Sequence, residues 1–153
     1  MYKWILLAHV LGGATLFGAH VYMEGLMASA GKAGDDSTYM TLMLRMSSTA
    51  SRLMGPASLI TLVFGVWLVI DSGFYEFNDF FITIGFAIII AAFAISMFLI
   101  RPRSVDIDAA IEENGLTDAA AVSGMKSIST LVHVQTLLVS IAFVAMVIKP
   151  GTL

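Results

Sequence analysis

The sequence predicts an all-α fold, an integral membrane antiparallel four-helix bundle with both termini extracytoplasmic. Three observations predict it. The chain is 58% hydrophobic and only 12% charged, with a mean hydropathy of +0.90, whereas a soluble domain carries about a quarter of its residues charged. Folding a soluble domain of this size leaves roughly 30% of its chain surface in water, and that surface needs a polar coat which this chain lacks. Four apolar runs, residues 4–23, 53–70, 80–100 and 131–148, each have the length that crosses about 30 Å of hydrocarbon as a helix. The basic residues also fall unevenly between the loops.

The first run begins right after Met1-Tyr2-Lys3. It is longer than the apolar region of a cleaved signal peptide, about 7–15 residues, and carries His9 and His20, so it reads as a retained span. Span two is preceded by Asp35-Asp36-Ser37-Thr38, whose side chains suit an N-cap. Helix two is therefore expected to begin near Ser37 and project beyond the membrane, with a kink at Pro56. Span three is expected to stop at Arg101-Pro102-Arg103. A short interfacial helix then runs from Ser104 or Asp106 to Glu113 and ends at Asn114-Gly115, and Thr117-Asp118 caps a helix leading into span four. The whole of residues 1–153 reads as one transmembrane domain, with no repeats and no low-complexity tracts.

Orientation follows from the loops. Lys32, Arg45, Arg52, Arg101, Arg103 and Lys126 lie on one side of the bilayer, and only Lys3 and Lys149 on the other. The positive-inside rule puts the two longer loops in the cytoplasm. This predicts a multi-pass protein of the bacterial cytoplasmic membrane, its surroundings the lipid bilayer.

Several function classes are excluded. The chain has no cysteine, hence no disulfide, thiolate catalysis or Cys-ligated metal. No basic stripe exists for nucleic acid. No span carries an acid, which argues against a carboxylate ion pathway, and there are no broken midplane helices of the transporter kind. The three histidines lack HExxH spacing, so a zinc hydrolase is not indicated.

What remains is a short set of ionisable groups in or beside the spans, each costing about 2.5–3.5 kcal/mol to insert. His9 and His20 share one face of helix one, separated by about 16 Å along its axis, with Gly12 and Gly13 forming a notch between them. His20 lies near the cytoplasmic end of span one and His133 near the cytoplasmic start of span four, so their depths match. Arg52 lies at the same level on helix two, and Arg45 seven residues earlier. Two imidazoles and two guanidiniums at one depth are a candidate b-type haem site. His20 and His133 would be the axial metal ligands and Arg52 and Arg45 would meet the propionates, as in other bundles that house cofactors between facing helices. The plainer alternative is that these are hydrogen-bonding and topology-setting residues. His9 is the second-ranked candidate, with Met146 at a similar depth.

The run Lys3-Trp4-Ile5-Leu6-Leu7-Ala8-His9-Val10-Leu11-Gly12, the segment Arg52-Leu53-Met54-Gly55-Pro56-Ala57-Ser58, the segment Val63-Phe64-Gly65-Val66-Trp67-Leu68 and the terminal Val147-Ile148-Lys149-Pro150 together carry a resemblance. They resemble small bacterial four-helix membrane proteins of the HemJ-type protoporphyrinogen oxidase and copper-resistance D-like group, including relatives of unassigned function. The resemblance implies the four-helix architecture, haem binding and a functional His9. It also implies a Lys in span three, which this chain does not have, so the oxidase reaction is not carried over. The sequence-level expectation is a membrane haem b protein acting in electron transfer or porphyrin handling, alone, as a homo-oligomer, or as a subunit of a larger membrane redox complex. The alternatives are a non-catalytic accessory subunit with structural histidines and, from the copper-resistance likeness, copper handling through His and Met.

Overall fold

The computed structural model describes residues 1–149, the side chain of Ser51 apart. Residues 150–153, including the Pro150 of the terminal motif and the last residues of the expected domain, lie outside the described residues. Helices are α1 (Tyr2–Ala30), α2 (Asp36–Ser72), α3 (Phe80–Ala94), α4 (Arg101–Asn114) and α5 (Ala119–Ile148), and a π-helical segment, Ile95–Ile100, joins α3 to α4 without a break. There is no strand among the described residues. Four helical rods, Tyr2–Ala30, Asp36–Ser72, Phe80–Asn114 and Ala119–Ile148, are long and apolar enough to cross a membrane. Many large apolar side chains on them, such as Leu59, Ile70, Ile90, Phe93 and Leu137, are exposed. Water would penalise such a surface and lipid does not.

The element ends follow the local chemistry. Asp35 takes an extended conformation, and its carboxylate accepts the backbone N–H of Thr38 at 2.8 Å and the Thr38 hydroxyl at 2.9 Å. This N-cap starts α2 one residue before the expected Ser37. The helix then runs without interruption through Pro56. Asp118 caps α5 by accepting from the N–H groups of Ala120 and Ala121. Gly73 (φ 66°) ends α2 and Gly115 (φ 93°) ends α4, in backbone conformations that favour glycine.

The expected stop at Arg101-Pro102-Arg103 is corrected by the structure, in which the helix continues to Asn114. The π-helical segment lies immediately before the proline, and the Arg101 N–H reaches back five residues to the Ser96 carbonyl. Widening the turn loosens the contact a proline ring would otherwise make with the carbonyl four residues earlier. Side chains meet acceptors around the transition. The Arg103 guanidinium donates to the Leu99 carbonyl at 2.7 Å and the Ser104 hydroxyl to that of Ile100 at 3.1 Å. From α5, buried Gln135 donates to the Ala92 carbonyl and the Ser96 hydroxyl, both at 2.8 Å.

α1 packs along α2 and also against α5, and α5 in turn packs on α3 and α4, while α2 and α3 touch little. The end of the bundle that carries the basic loops is closed by a core rich in Met: Met23, Met27, Met40, Met43, Met46 and Met125, with Ile107 and Val132 among their neighbours. At the opposite end, the terminal end near Tyr2 and Lys149, Val69, Phe81, Ile82 and Ala145 form a smaller core.

Candidate functional site

His20 and His133 are placed differently around their helices. His20 is 3% exposed, and its Nδ1 donates to the Leu16 carbonyl one turn earlier at 2.9 Å. His133 is exposed, and its Nδ1 lies 2.5 Å from Glu24 Oε2, joining α5 to α1. A cavity at this end is lined by Glu24, Met27, Tyr39, Lys126, Ser129 and His133, and His20 is not among its walls. The Ser129 hydroxyl donates to Met27 Sδ, and Lys126 lies over the Tyr39 ring. Glu24 Oε1 is the one buried side-chain polar atom without a partner among the described residues. Arg45 and Arg52 are exposed and line neither of the two cavities. The structure thus does not gather His20, His133, Arg52 and Arg45 around one space. Among the described residues no three His, Asp or Glu side chains are grouped to hold a metal ion.

His9 sits differently. It lines a cavity of about 300 Å³ between α1, α2, α3 and α5 at the terminal end of the bundle. Its Nδ1 donates to the Thr61 carbonyl on α2 at 2.9 Å. Since a carbonyl only accepts, Nδ1 holds the proton and Nε2 keeps the lone pair. Two glycines make this contact possible. Gly65 stands one turn after Thr61, and a Cβ there would lie 3.0 Å from His9 Cε1 and 3.2 Å from Nδ1. Its missing side chain bares the carbonyl to the imidazole. Gly12 brings α1 onto α2 so closely that a Cβ would lie 3.1 Å from the Thr61 backbone nitrogen.

The remaining walls are largely apolar: Leu16, Leu68, Phe81, Phe86, Ile89 and Phe143 among others, with Gly13, Gly65 and Gly85 leaving space where side chains would stand. Met146 from α5 lines the same cavity and rests its methyl on Gly85. At the terminal end stand Tyr2, Tyr75 and Lys149. The Lys149 ammonium donates to the Tyr75 hydroxyl and lies 4.9 Å from that ring's centre. Tyr75 in turn meets Phe74 and Phe81 edge-on. Sequence reasoning missed Thr61, Gly65, Tyr75 and Lys149 as site residues. Depth pointed to the last two, since the loop between spans two and three and the end of span four share one membrane face.

A protein-family model described as a predicted integral membrane protein (DUF2269) matches residues 3–150. The chain belongs to the DUF2269 family. No curated protein and no solved structure matches it. The match supports a family of integral membrane proteins and does not extend to the HemJ-type likeness carried by residues 3–12, 52–58, 63–68 and 147–150.

Of the two cavities in this DUF2269 protein, the one at His9 is the better fit to a haem. A ligating imidazole has its other nitrogen fixed by a carbonyl or carboxylate, and the Thr61 carbonyl does this for His9. The walls are largely apolar, and Lys149, a cation, and Met146, a thioether from another helix, stand among them. The volume lies at the lower end of the usual range for small-molecule sites, about 300–1,000 Å³, so a macrocycle would extend out between the helices.

Proposed function

We propose that this DUF2269 protein binds a b-type haem in the cavity at His9 and acts in electron transfer or porphyrin handling. His9 through Nε2 and Met146 through its thioether would hold the iron, and Lys149 with Tyr75 would receive a propionate. The observation that carries the reading is the His9–Thr61 hydrogen bond at 2.9 Å inside a largely apolar cavity. A histidine held by a backbone carbonyl presents its lone pair in a fixed direction. The bound group would supply one-electron redox chemistry. The protein's part is to hold it, keep it dry and set its orientation. In this reading the rods are antiparallel, the basic loops face the cytoplasm of a bacterial cell, and the His9 cavity lies in the outer leaflet of a single transmembrane domain.

The test is an oxidised and dithionite-reduced absorption spectrum of protein purified in mild detergent with haem supplied, beside His9→Ala, His20→Ala and His133→Ala. A reduced α-band that His9→Ala loses and the other two keep supports the proposal. A featureless spectrum overturns it. A band lost in His20→Ala and His133→Ala but kept in His9→Ala overturns the choice of ligand and restores the pair at the basic end.

A second reading, an accessory subunit of a larger membrane complex, is favoured by the internal use of polar groups. The His20 Nδ1 and the Gln135 amide are both committed to hydrogen bonds within the bundle. Stoichiometric co-purification with a membrane complex, together with the featureless spectrum above, would favour it.

A further inference from the structure

The cavity at His9 is open on one side, and the side matters. α1 and α5 are joined at the basic end by the Glu24–His133 and Met27–Ser129 contacts. They are bridged again by Phe17 and Phe143, whose rings stack with centres 4.7 Å apart and planes 10° apart. Closer to the termini the two helices no longer cover the cavity between them. Leu6 and Val10 on α1 and Val147 on α5 line it and are exposed, 38%, 53% and 68% respectively. On the opposite wall, between α2 and α3, Leu68, Val69, Phe81 and Ile82 are buried at the terminal end, and Leu62 further along α2 is less exposed than the Val10 and Val147 rims, 37%. Leu6, Val10 and Val147 all lie within the apolar runs, so what meets them outside the protein is hydrocarbon and not water.

We propose that this gap between α1 and α5 is a lateral portal through which the cavity exchanges its ligand with the bilayer, the Phe17–Phe143 stack forming its floor. The ligand is then a membrane-dissolved amphiphile carrying a carboxylate. Its apolar body passes between Val10 and Val147, and its head comes to rest at the terminal end by the Lys149 ammonium and the Tyr75 hydroxyl. The charge complementarity is local: among the described residues that line the cavity, Lys149 is the one Lys, Arg, Asp or Glu. A carboxylate can displace or share the ammonium now on Tyr75, and the acyl or macrocyclic body finds apolar walls on every side. This extends the haem reading, since porphyrin propionates satisfy the same description, but the portal does not require that the ligand be haem.

The experiment reconstitutes the full chain into nanodiscs with a diazirine-tagged long-chain fatty acid, photolyses it, and maps the adducts by mass spectrometry. Val10→Trp and Leu6→Trp, on surfaces that already face lipid, narrow the portal. Ile141→Trp, exposed on α5 but not on the cavity wall, is the control. Adducts on cavity residues such as Ile89 and Ala142 are expected in the wild type, falling about tenfold in both portal variants and unchanged in the control. Labelling confined to outward residues such as Ile90 and Leu137, or cavity labelling equal in all four proteins, overturns the portal. Haem loading from vesicles is measured alongside, with about tenfold slower loading expected in Val10→Trp. Cavity adducts without any haem band would sink the haem reading and leave the portal standing. A haem band that loads equally fast in Val10→Trp would overturn the portal alone.

Discussion

Substituting Gly12 by Ala tests how the helices are held at the site. A Cβ at this position would lie 2.8 Å from Thr61 Oγ1, 2.9 Å from Ile60 Cγ2 and 3.1 Å from the Thr61 backbone nitrogen. The hydroxyl cannot turn away freely, because it donates to the Ala57 carbonyl at 2.7 Å, and a backbone atom cannot turn at all. α1 and α2 must therefore separate. Overpacking of this kind costs about 1–3 kcal/mol, and weakening the His9–Thr61 bond adds roughly 0.6–1.7 kcal/mol, the range seen for interhelical bonds in membranes. The better helix propensity of Ala offsets up to about 1 kcal/mol. The net loss is about 1–4 kcal/mol, or a fall in Tm of roughly 5–10 °C at the centre of that range for a chain of this length. Gly18, on the same helix with nothing within 4 Å of its would-be Cβ, is the matched control and should gain a few tenths of a kcal/mol as Ala. Thermal unfolding of both variants in one detergent, followed by circular dichroism, decides it. Equal stability of Gly12→Ala and wild type, or equal losses in the two variants, would refute the account of the α1–α2 contact.

Gln135→Leu removes both hydrogen bonds at the π-helical segment and should lower stability by about 1–3 kcal/mol, with Ser96→Ala milder. An unchanged Tm for Gln135→Leu would mean that the segment does not depend on α5. At the start of α2, the Thr38 N–H and hydroxyl hold the Asp35 carboxyl below its ordinary value. A depressed carboxyl stabilises the fold above its unfolded pKa of about 3.9 and loses that contribution as pH falls through the folded value. The first turn of α2 should therefore show less protection of its amide hydrogens, relative to their intrinsic exchange rate at each pH, below about pH 4 than above it. Asp35→Asn, which keeps the cap but not the charge, should flatten that dependence; the same acid response in both proteins would show that Asp35 is not its source.

The sequence was most informative where one dimension suffices. The Asp35 and Asp118 caps and the Gly115 terminator depend on residues close together in the chain, and the structure has them within a residue or two. Four long apolar helices were legible as well, though they run well past the apolar runs, to Ala30, from Asp36, to Asn114 and from Ala119. Order along each helix was also legible, since it is read directly from position in the chain. Rotation about the helix axis was not, because each span is apolar nearly all round and offers little polar face from which to fix which side turns inward. That is why His20 and His133 could share an expected depth while one is buried against its own backbone and the other reaches out to Glu24. It is also why Arg45 and Arg52, expected near a cofactor, face outward. The Pro102 boundary failed for another reason. A proline ends a helix only if the preceding carbonyls have no other arrangement, and here a wider turn and donors from Arg103, Ser104 and Gln135 provide one.

The two ends of the bundle use opposite means of filling space. At the basic end, six buried methionines adapt to whatever room the helices leave. At the terminal end the residues that face inward include Gly13, Gly65 and Gly85, and space is left unfilled. In lipid, helices gain little from burying apolar surface against each other, since the solvent is equally apolar. A cavity bounded by lipid-like walls therefore costs less here than in a soluble core, provided the polar groups around it are satisfied. The His9 and Thr61 groups, and Lys149 with Tyr75, are satisfied in pairs, each joining two parts of the chain far apart in sequence. Filling the void with large side chains would have been the ordinary way to gain packing contacts. Its walls instead combine glycines, a fixed imidazole and a cation at one end, an arrangement that packing alone does not call for and that a bound amphiphile would use.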